Sequence, residues 1–225
     1  MSHLEILEKW MPLLLQGFLL DVVISMMAML LGTLTGVGLG VGQLSNNAFL
    51  KRTSILLTQF FRNAPWLVLL FFCILLLPYQ VFVGNHALPF PAWLKGIIGL
   101  ALPVMGNVSE VVRGGIQSIP SAQWEAAQGL ALSRSQTLRI VILPQAVKRM
   151  LPPWMNAYAV LMMATPLVSI VGVEDSVMVA RSVLAAERDP GLLMPVYGFL
   201  LALFFIYCAP IARLTRKLEA RFSPQ

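Results

Sequence analysis

Residues Ile119 to Ala146 read IPSAQWEAAQGLALSRSQTLRIVILPQA, the one long polar-punctuated stretch between two strongly apolar blocks of the chain. Ser121 is placed to cap a helix whose first turn carries Glu125, a carboxylate that suits the positive end of a helix dipole. Ala122, Ala126 and Ala127 keep one side of that helix low, so another protein can approach it closely. A second short helix is predicted after Ser133, with Arg134 and Arg139 on its polar side, Leu138, Val141 and Ile142 on the other, and an interruption near Pro144. The two together predict a helical elbow lying outside a bilayer.

The remainder of the chain supplies the bilayer segments. Of 225 residues 58% are hydrophobic and 12% charged, and the mean hydropathy is +0.78, whereas about a quarter of the residues of a soluble domain are charged. The class is therefore a polytopic membrane protein, all-α, with one transmembrane domain over residues 1–225. A net charge of +6 does not indicate nucleic acid, because the basic residues flank apolar spans and do not form a patch interleaved with aromatics. Cys73 and Cys208 lie in apolar runs and read as small hydrophobes. The twelve methionines read as soft packing. The N-terminus, MSHLEILEKW, lacks the basic region and cleavage site of a signal peptide.

Five spans are predicted at about 17–41, 55–77, 96–117, 153–173 and 192–212, each measured against the roughly 20 apolar residues that a bilayer core requires. Glycines at 32, 36, 38, 40 and 42 give the first span a surface for close helix packing. Asp21, near the end of that span, reads as solvated. Gly84 to Lys95, with prolines at 89 and 91, reads as a loop. The third span turns polar at its end, with Asn107, Ser109, Glu110 and Arg113, and Glu110 can pair with Arg113 three residues on or with a neighbouring subunit. Pro166, beside Thr165 and Ser169, breaks the fourth span.

Polar groups in a membrane bundle face its interior or a water-filled cavity. That makes Asn107, Ser109, Glu110, Thr165 and Ser169 candidates for a pathway, with interhelical hydrogen bonding as the alternative for each. Arg62 and Arg113 are the structural charges beside them. Segments 44–62, 110–149 and 213–221 hold three, five and four basic residues, against one, one and two in 1–16, 79–96 and 173–191. The positive-inside rule then sets the N-terminus outside and the elbow and C-terminus in the cytoplasm. The sequence has no phosphate-binding glycine loop, no metal-spaced cluster and no histidine inside a span, so no cofactor site is expected on this chain and it is not read as an enzyme.

Glu125-Ala126-Ala127, followed by Leu143-Pro144, resembles the EAA loop of ABC importer permeases, the cytoplasmic segment that docks on the ATPase. Arg113 to Pro120 (RGGIQSIP), Leu143 to Ala146 (LPQA) and Phe61 to Pro65 (FRNAP) narrow the resemblance to the polar amino-acid branch that serves histidine, glutamate, glutamine and arginine, and it runs from about Gly17 to Arg216. The resemblance implies the type I importer permease fold, a bacterial inner-membrane location, and a coupling elbow at about 118–147 in which Glu125, Ala126, Ala127, Gly129, Ala131, Leu143 and Pro144 engage the ATPase.

It further implies an ABC ATPase dimer that holds ATP and Mg, a second permease subunit in a heterodimer or homodimer, and a periplasmic amino-acid-binding protein. Transport would proceed by alternating access. Two departures from the family pattern stand out. Ala131 occupies a position where relatives carry glycine, and Met163 to Leu167 (MATPL) lacks the charged pair that relatives carry. The second departure suggests the less substrate-engaged half of a heterodimer. An ATP-independent channel or secondary transporter is the alternative reading, disfavoured by the absence of an inverted repeat and by the elbow.

Overall fold

The computed structural model of the chain describes residues 3–83 and 86–222. Helix α1 (His3–Gln43) is followed by α2 (Ala48–Asn63), α3 (Trp66–Leu76), a hairpin of β1 (Gln80–Val83) and β2 (His86–Pro89), and α4 (Ala92–Gln117). Then come α5 (Ser121–Gly129), α6 (Arg134–Gln136), α7 (Leu143–Ala164), α8 (Ser176–Glu187) and α9 (Leu193–Phe222). Among the described residues, four helical stretches are long and apolar enough to cross a membrane, and a fifth arises if α2 and α3 count as one broken span.

Helix α4 is the central post, and α1 lies parallel to it along a glycine seam. Cβ atoms added at Gly32, Gly36 and Gly40 would fall 2.5, 2.8 and 2.7 Å from side-chain atoms of Val104, Val108 and Val112. The four-residue steps match on both helices, so glycine on one receives valine from the other and the backbones close up. Gly38 faces open space and takes no part. Helix α1 is far longer than the span predicted at 17–41. At about 1.5 Å per residue it outreaches a hydrocarbon core of about 30 Å, and its first turns pack on α8 and α9 around Ile6, Leu14, Ala180 and Val196.

The span predicted at 55–77 is not one rod. Helices α2 and α3 meet at 104°, because Pro65 offers no backbone N–H and holds Ala64 extended at φ −71, ψ 139. With 11 residues α3 cannot cross a bilayer alone. Its last carbonyls, Ile74 O and Leu77 O, accept hydrogen bonds from Lys95 Nζ at 3.2 and 2.9 Å, and the same ammonium lies 3.7 Å from the Tyr79 ring centroid. Lys95 is thus buried within α4 and is not a loop charge. Cations at helix C-termini satisfy orphan carbonyls in this way.

The predicted loop from Gly84 to Lys95 contains strand β2 and the first turn of α4 instead, so the bundle carries one small hairpin, paired from Gln80 with Pro89 to Val83 with His86. Pro91 caps α4, which is why prolines 89 and 91 read as loop. Gly84 itself lies outside the described residues. The fourth span breaks where Pro166 predicts, α7 giving way to a 3₁₀ stretch Thr165–Val171 that ends on Gly172 at φ +84. Helix α8 fills most of the segment between the fourth and fifth spans, and α9 continues the fifth span ten residues past 212.

Candidate functional site

The elbow begins where α4 ends. Pro120, not Ser121, stands at the N-cap of α5, and no side chain caps it. Ser121 is the first helical residue, so Glu125 sits in the second turn and not the first. Only Ala127 is buried and Trp124 half-buried. Glu125, Ala126 and Gly129 stay exposed. Helix α5 closes with Leu132 N donating to Ala127 O at 3.2 Å and Ala131 N donating to Gln128 O at 2.8 Å. This is a Schellman ending, whose left-handed residue is normally glycine; here Ala131 takes φ +54.

Ser133 caps the next segment in a reciprocal box with Gln136, as its position predicts. The second arm is not interrupted at Pro144. Residues Thr137–Ile142 form a π turn, with Leu143 N donating to Leu138 O, and run straight into α7. The wider turn accommodates a proline one residue into α7. Leu143 is half-buried and Pro144 exposed.

One face of α7 grips the elbow. Gln145 Nε2 donates to Gln123 Oε1 at 3.2 Å and to Val141 O at 2.9 Å. Arg149 Nη1 donates at 2.5 Å to Ser118 O, in the hinge between α4 and α5. Ile119, Ile142 and Ala146, near these residues in the chain, are buried in the same apolar core.

Beside the hinge opens a cavity of about 650 Å³, lined by Arg62, Asn107, Glu110, Arg149, Asn156 and Glu219 among others. Glu110 Oε2 receives Arg113 Nη2 at 2.6 Å, and Arg62 Nη1 stands 3.9 Å away. Arg113 Nη1 also donates to Gln117 Oε1 at 2.6 Å. Of the pathway candidates, Asn107 and Glu110 reach this cavity. Ser109 does not line it; its hydroxyl accepts from Gln43 Nε2 at 2.8 Å and meets Thr58 Oγ1 at 2.9 Å, joining α1, α2 and α4. Thr165 and Ser169 are buried and donate to Met162 O and Pro166 O of their own turn, at 2.8 and 2.7 Å. Asn156, Gln123 and Gln145 carry no signal in the sequence, and Arg149 reads there only as one of the five basic residues of 110–149, because each gains its role from a residue more than twenty positions away or from the cavity itself.

At the far end of the bundle Asp21 is fully buried, not solvated. Its Oδ2 accepts from Ser176 N at 3.3 Å and from Ser176 Oγ at 2.5 Å, at the N-terminus of α8. A Cβ at Gly17, one turn before it, would lie 2.8 Å from the Ser176 backbone. Asp175 caps α8 through Met178 N at 2.8 Å. Burial, and then the neighbouring Asp21 charge, push the Asp175 carboxyl up to about 7. Among the described residues no three His, Cys, Asp or Glu side chains converge on one point.

Residues 28–222 match the family described as binding-protein-dependent transport system inner membrane component. The chain is 33% identical over 191 residues to an inner membrane amino-acid ABC transporter permease protein of Escherichia coli (strain K12), covering 84% of this chain and 50% of that protein. It is 31% identical over 206 residues to a glutamate/glutamine/aspartate/asparagine transport system permease protein of Rhodobacter capsulatus, covering 91% and 47%. The chain thus spans about half the length of these two relatives. A probable amino-acid ABC transporter permease protein of Bacillus subtilis (strain 168) is 30% identical over 212 residues, with 94% and 90% covered. Among solved structures, an amino acid ABC transporter with histidines superposes at TM-score 0.84 and 24% identity, covering 98% of this chain and 99% of that one. The MetNI methionine ABC transporter, inward facing, superposes at 0.74 and 21%, covering 94% and 98%. These two likenesses establish the fold.

Proposed function

The chain belongs to the family of binding-protein-dependent transport system inner membrane components, and we propose that it is a permease subunit of an ATP-driven importer of polar amino acids. The observation that carries this reading is α5, a helix that packs inward through little more than Trp124 and Ala127 and leaves Glu125, Ala126 and Gly129 exposed. It hangs by a short hinge from α4, which lines the cavity. A separate ATPase dimer, holding ATP and Mg, docks on this helix, with Glu125 meeting a basic group. Its closure displaces α5, and the walls of the cavity move between outward and inward exposure.

Substrate chemistry fits the same cavity. A free amino acid presents a carboxylate and an ammonium, and the cavity offers Arg62 beside Glu110, with Glu219 and the amides of Asn107 and Asn156 also on its lining. The names of the relatives, all amino-acid permeases, support that class. The distribution of Lys and Arg supports a cytoplasmic elbow and C-terminus and an outer N-terminus in a bacterial inner membrane. A second permease subunit completes the pathway, in a heterodimer in which the partner supplies more of the recognition groups, and an extracytoplasmic binding protein delivers the substrate.

The test is reconstitution in vesicles of the complex purified from native membrane through a tag on this chain. Recovery of an ATPase, and uptake of labelled polar amino acids that requires ATP, are the expected results. Glu125→Arg is expected to lower uptake at least about tenfold while the complex stays inserted. Normal uptake by that variant removes Glu125 from coupling, and uptake without ATP by the chain alone replaces the reading with a channel or secondary transporter.

A further inference from the structure

Helix α5 is weakly held. Two side chains, Trp124 and Ala127, bury it against the bundle, and a cavity of about 710 Å³ opens beside Trp124, between the end of α1 and Ile116, Leu138 and Leu143. The apolar contact at Ile119, Ile142 and Ala146 is close but non-directional, so it holds surfaces together without fixing their angle. A helix attached in this way can rock toward the cavity beside Trp124, and a push on its outer face would then be lost as rocking.

The directional contacts are polar, and both come from one helix face. Gln145 and Arg149 stand four residues apart on α7, hence one above the other. The first holds Gln123 near the start of α5, and the second holds Ser118 O in the hinge. Ser118 Oγ in turn donates to Gly115 O at 2.8 Å. At Gly115 an added Cβ would fall 2.4 Å from Met150 Cγ, so α4 and α7 are at close approach beside the hinge. Arg149 also lines the charged cavity, as do Pro152 and Asn156 further along α7.

The geometry points to Gln145 and Arg149 as positioning residues: a two-rung brace that converts displacement of α5 into movement of α7 and, with it, of the cavity wall. This rests on the proposed reading of α5 as the ATPase contact. Hydrogen bonds weaken steeply when bent, so two rungs at separate points of one helix resist the rocking that a single contact would permit. Without them the ATPase still docks on α5, but its stroke turns the short helix into the cavity beside Trp124.

The readout is the number of ATP molecules hydrolysed per amino acid taken up, measured in vesicles holding the complete complex. Arg149→Gln is expected to raise that ratio at least about fivefold, and Gln145→Leu about twofold, with binding of the ATPase unchanged in pull-down. Arg149→Lys keeps one donor toward Ser118 O and is expected to fall between Arg149→Gln and the unaltered complex. Lys148→Gln removes the neighbouring exposed cation and is expected to leave the ratio unchanged, which separates the brace from a general loss of charge. If Arg149→Gln does not assemble, Gln145→Leu, at the half-buried outer rung, decides. A ratio equal to that of the unaltered complex in the variants that assemble overturns the brace. If the unaltered complex shows no ATP-dependent uptake, the importer reading itself falls, a result distinct from intact coupling in the variants.

Discussion

Helices α4 and α9 are both long and apolar enough to cross a bilayer, yet 67% of the apolar stretch of α4 is buried within the chain against 17% for α9. The more apolar of the two is the more exposed. In water that order would be reversed, but lipid solvates Leu201, Phe205 and Ile206 as well as protein does, so apolar character alone draws no helix inward. What places α4 at the centre is shape and polarity. It offers Val104, Val108 and Val112 to the glycines of α1, Gly106 to the backbone of α2 at Arg62, and Ser109 and Glu110 to polar partners. In this fold, small and polar residues mark the interior, and the long aliphatic runs mark the rim.

The comparison breaks most sharply by putting the same bulk on each side of it. At Gly36 a Cβ would already meet Met105 O at 2.7 Å and Val108 Cβ at 2.8 Å, whereas at Gly198 in α9 it would meet nothing within 4 Å. Gly36→Leu is expected to cost about 3 kcal/mol or more, since backbone and β-branched atoms on both helices leave no room to repack. Loss of the folded chain from mild detergent extracts, followed by fluorescence-detected size exclusion, is the readout. Gly198→Leu is expected to stay within about 0.5 kcal/mol of the parent. Equal behaviour of the two variants would remove the seam as the organising contact.

A second close approach sharpens the contrast, because it is equally tight but polar. At Gly17 the α8 backbone comes as near to α1 as Val108 does at Gly36, and the space around it holds Asp21, Asp175 and Ser176 instead of valines. Asp175 has its carboxyl pushed from 3.8 up to about 7 by burial and by Asp21, with Arg181 opposing. The folded chain therefore keeps a proton there that the unfolded chain releases. That contribution to stability is present at low pH and is lost as pH rises from about 4 to about 7. Asp175→Asn keeps the cap on Met178 N, because an amide oxygen accepts as a carboxylate does. It is expected to raise the thermal midpoint at about pH 8 by a few degrees and to flatten the slope between about pH 4 and 7. An unaltered slope would mean that Asp175 does not hold its proton in the fold.

How much of this the sequence discloses depends on the distance between partners. The Ser133 box is legible because Gln136 lies three residues on, and the packing glycines are legible because their four-residue spacing is local. Which helix they receive is not, since Val104 lies 72 positions beyond Gly32. The same limit hides Asp21, whose partner Ser176 is 155 residues away, and Arg149, which serves a carbonyl 31 residues back. Lys95 misleads for another reason. Prolines 89 and 91 signal a loop, while Pro91 also opens a helix. The elbow is legible as a polar-punctuated stretch between two apolar blocks, but its cap is displaced by one residue, because Pro120 takes the position that the sequence assigns to Ser121.

The smallest effect belongs at Ala131, and it isolates backbone strain from packing. Helix α5 resembles α9 in being mostly exposed, so little else changes with a substitution there. Ala131 holds φ +54 to close the Schellman turn, a conformation that costs a residue with a Cβ about 1–2 kcal/mol and glycine nothing. Greater backbone freedom in the unfolded chain gives part of that back, since glycine has more conformations to lose. Ala131→Gly is therefore expected to strengthen the closure of α5 by about 1 kcal/mol or slightly less. The global thermal midpoint should barely move, because the elbow contributes few buried residues. Hydrogen exchange of the amides of Leu130 to Leu132 should slow by about threefold to fivefold, 1.4 kcal/mol being tenfold. Faster exchange would mean that the left-handed turn is not the state in which the elbow spends its time, and that α5 ends in a looser form than the one that presents Glu125.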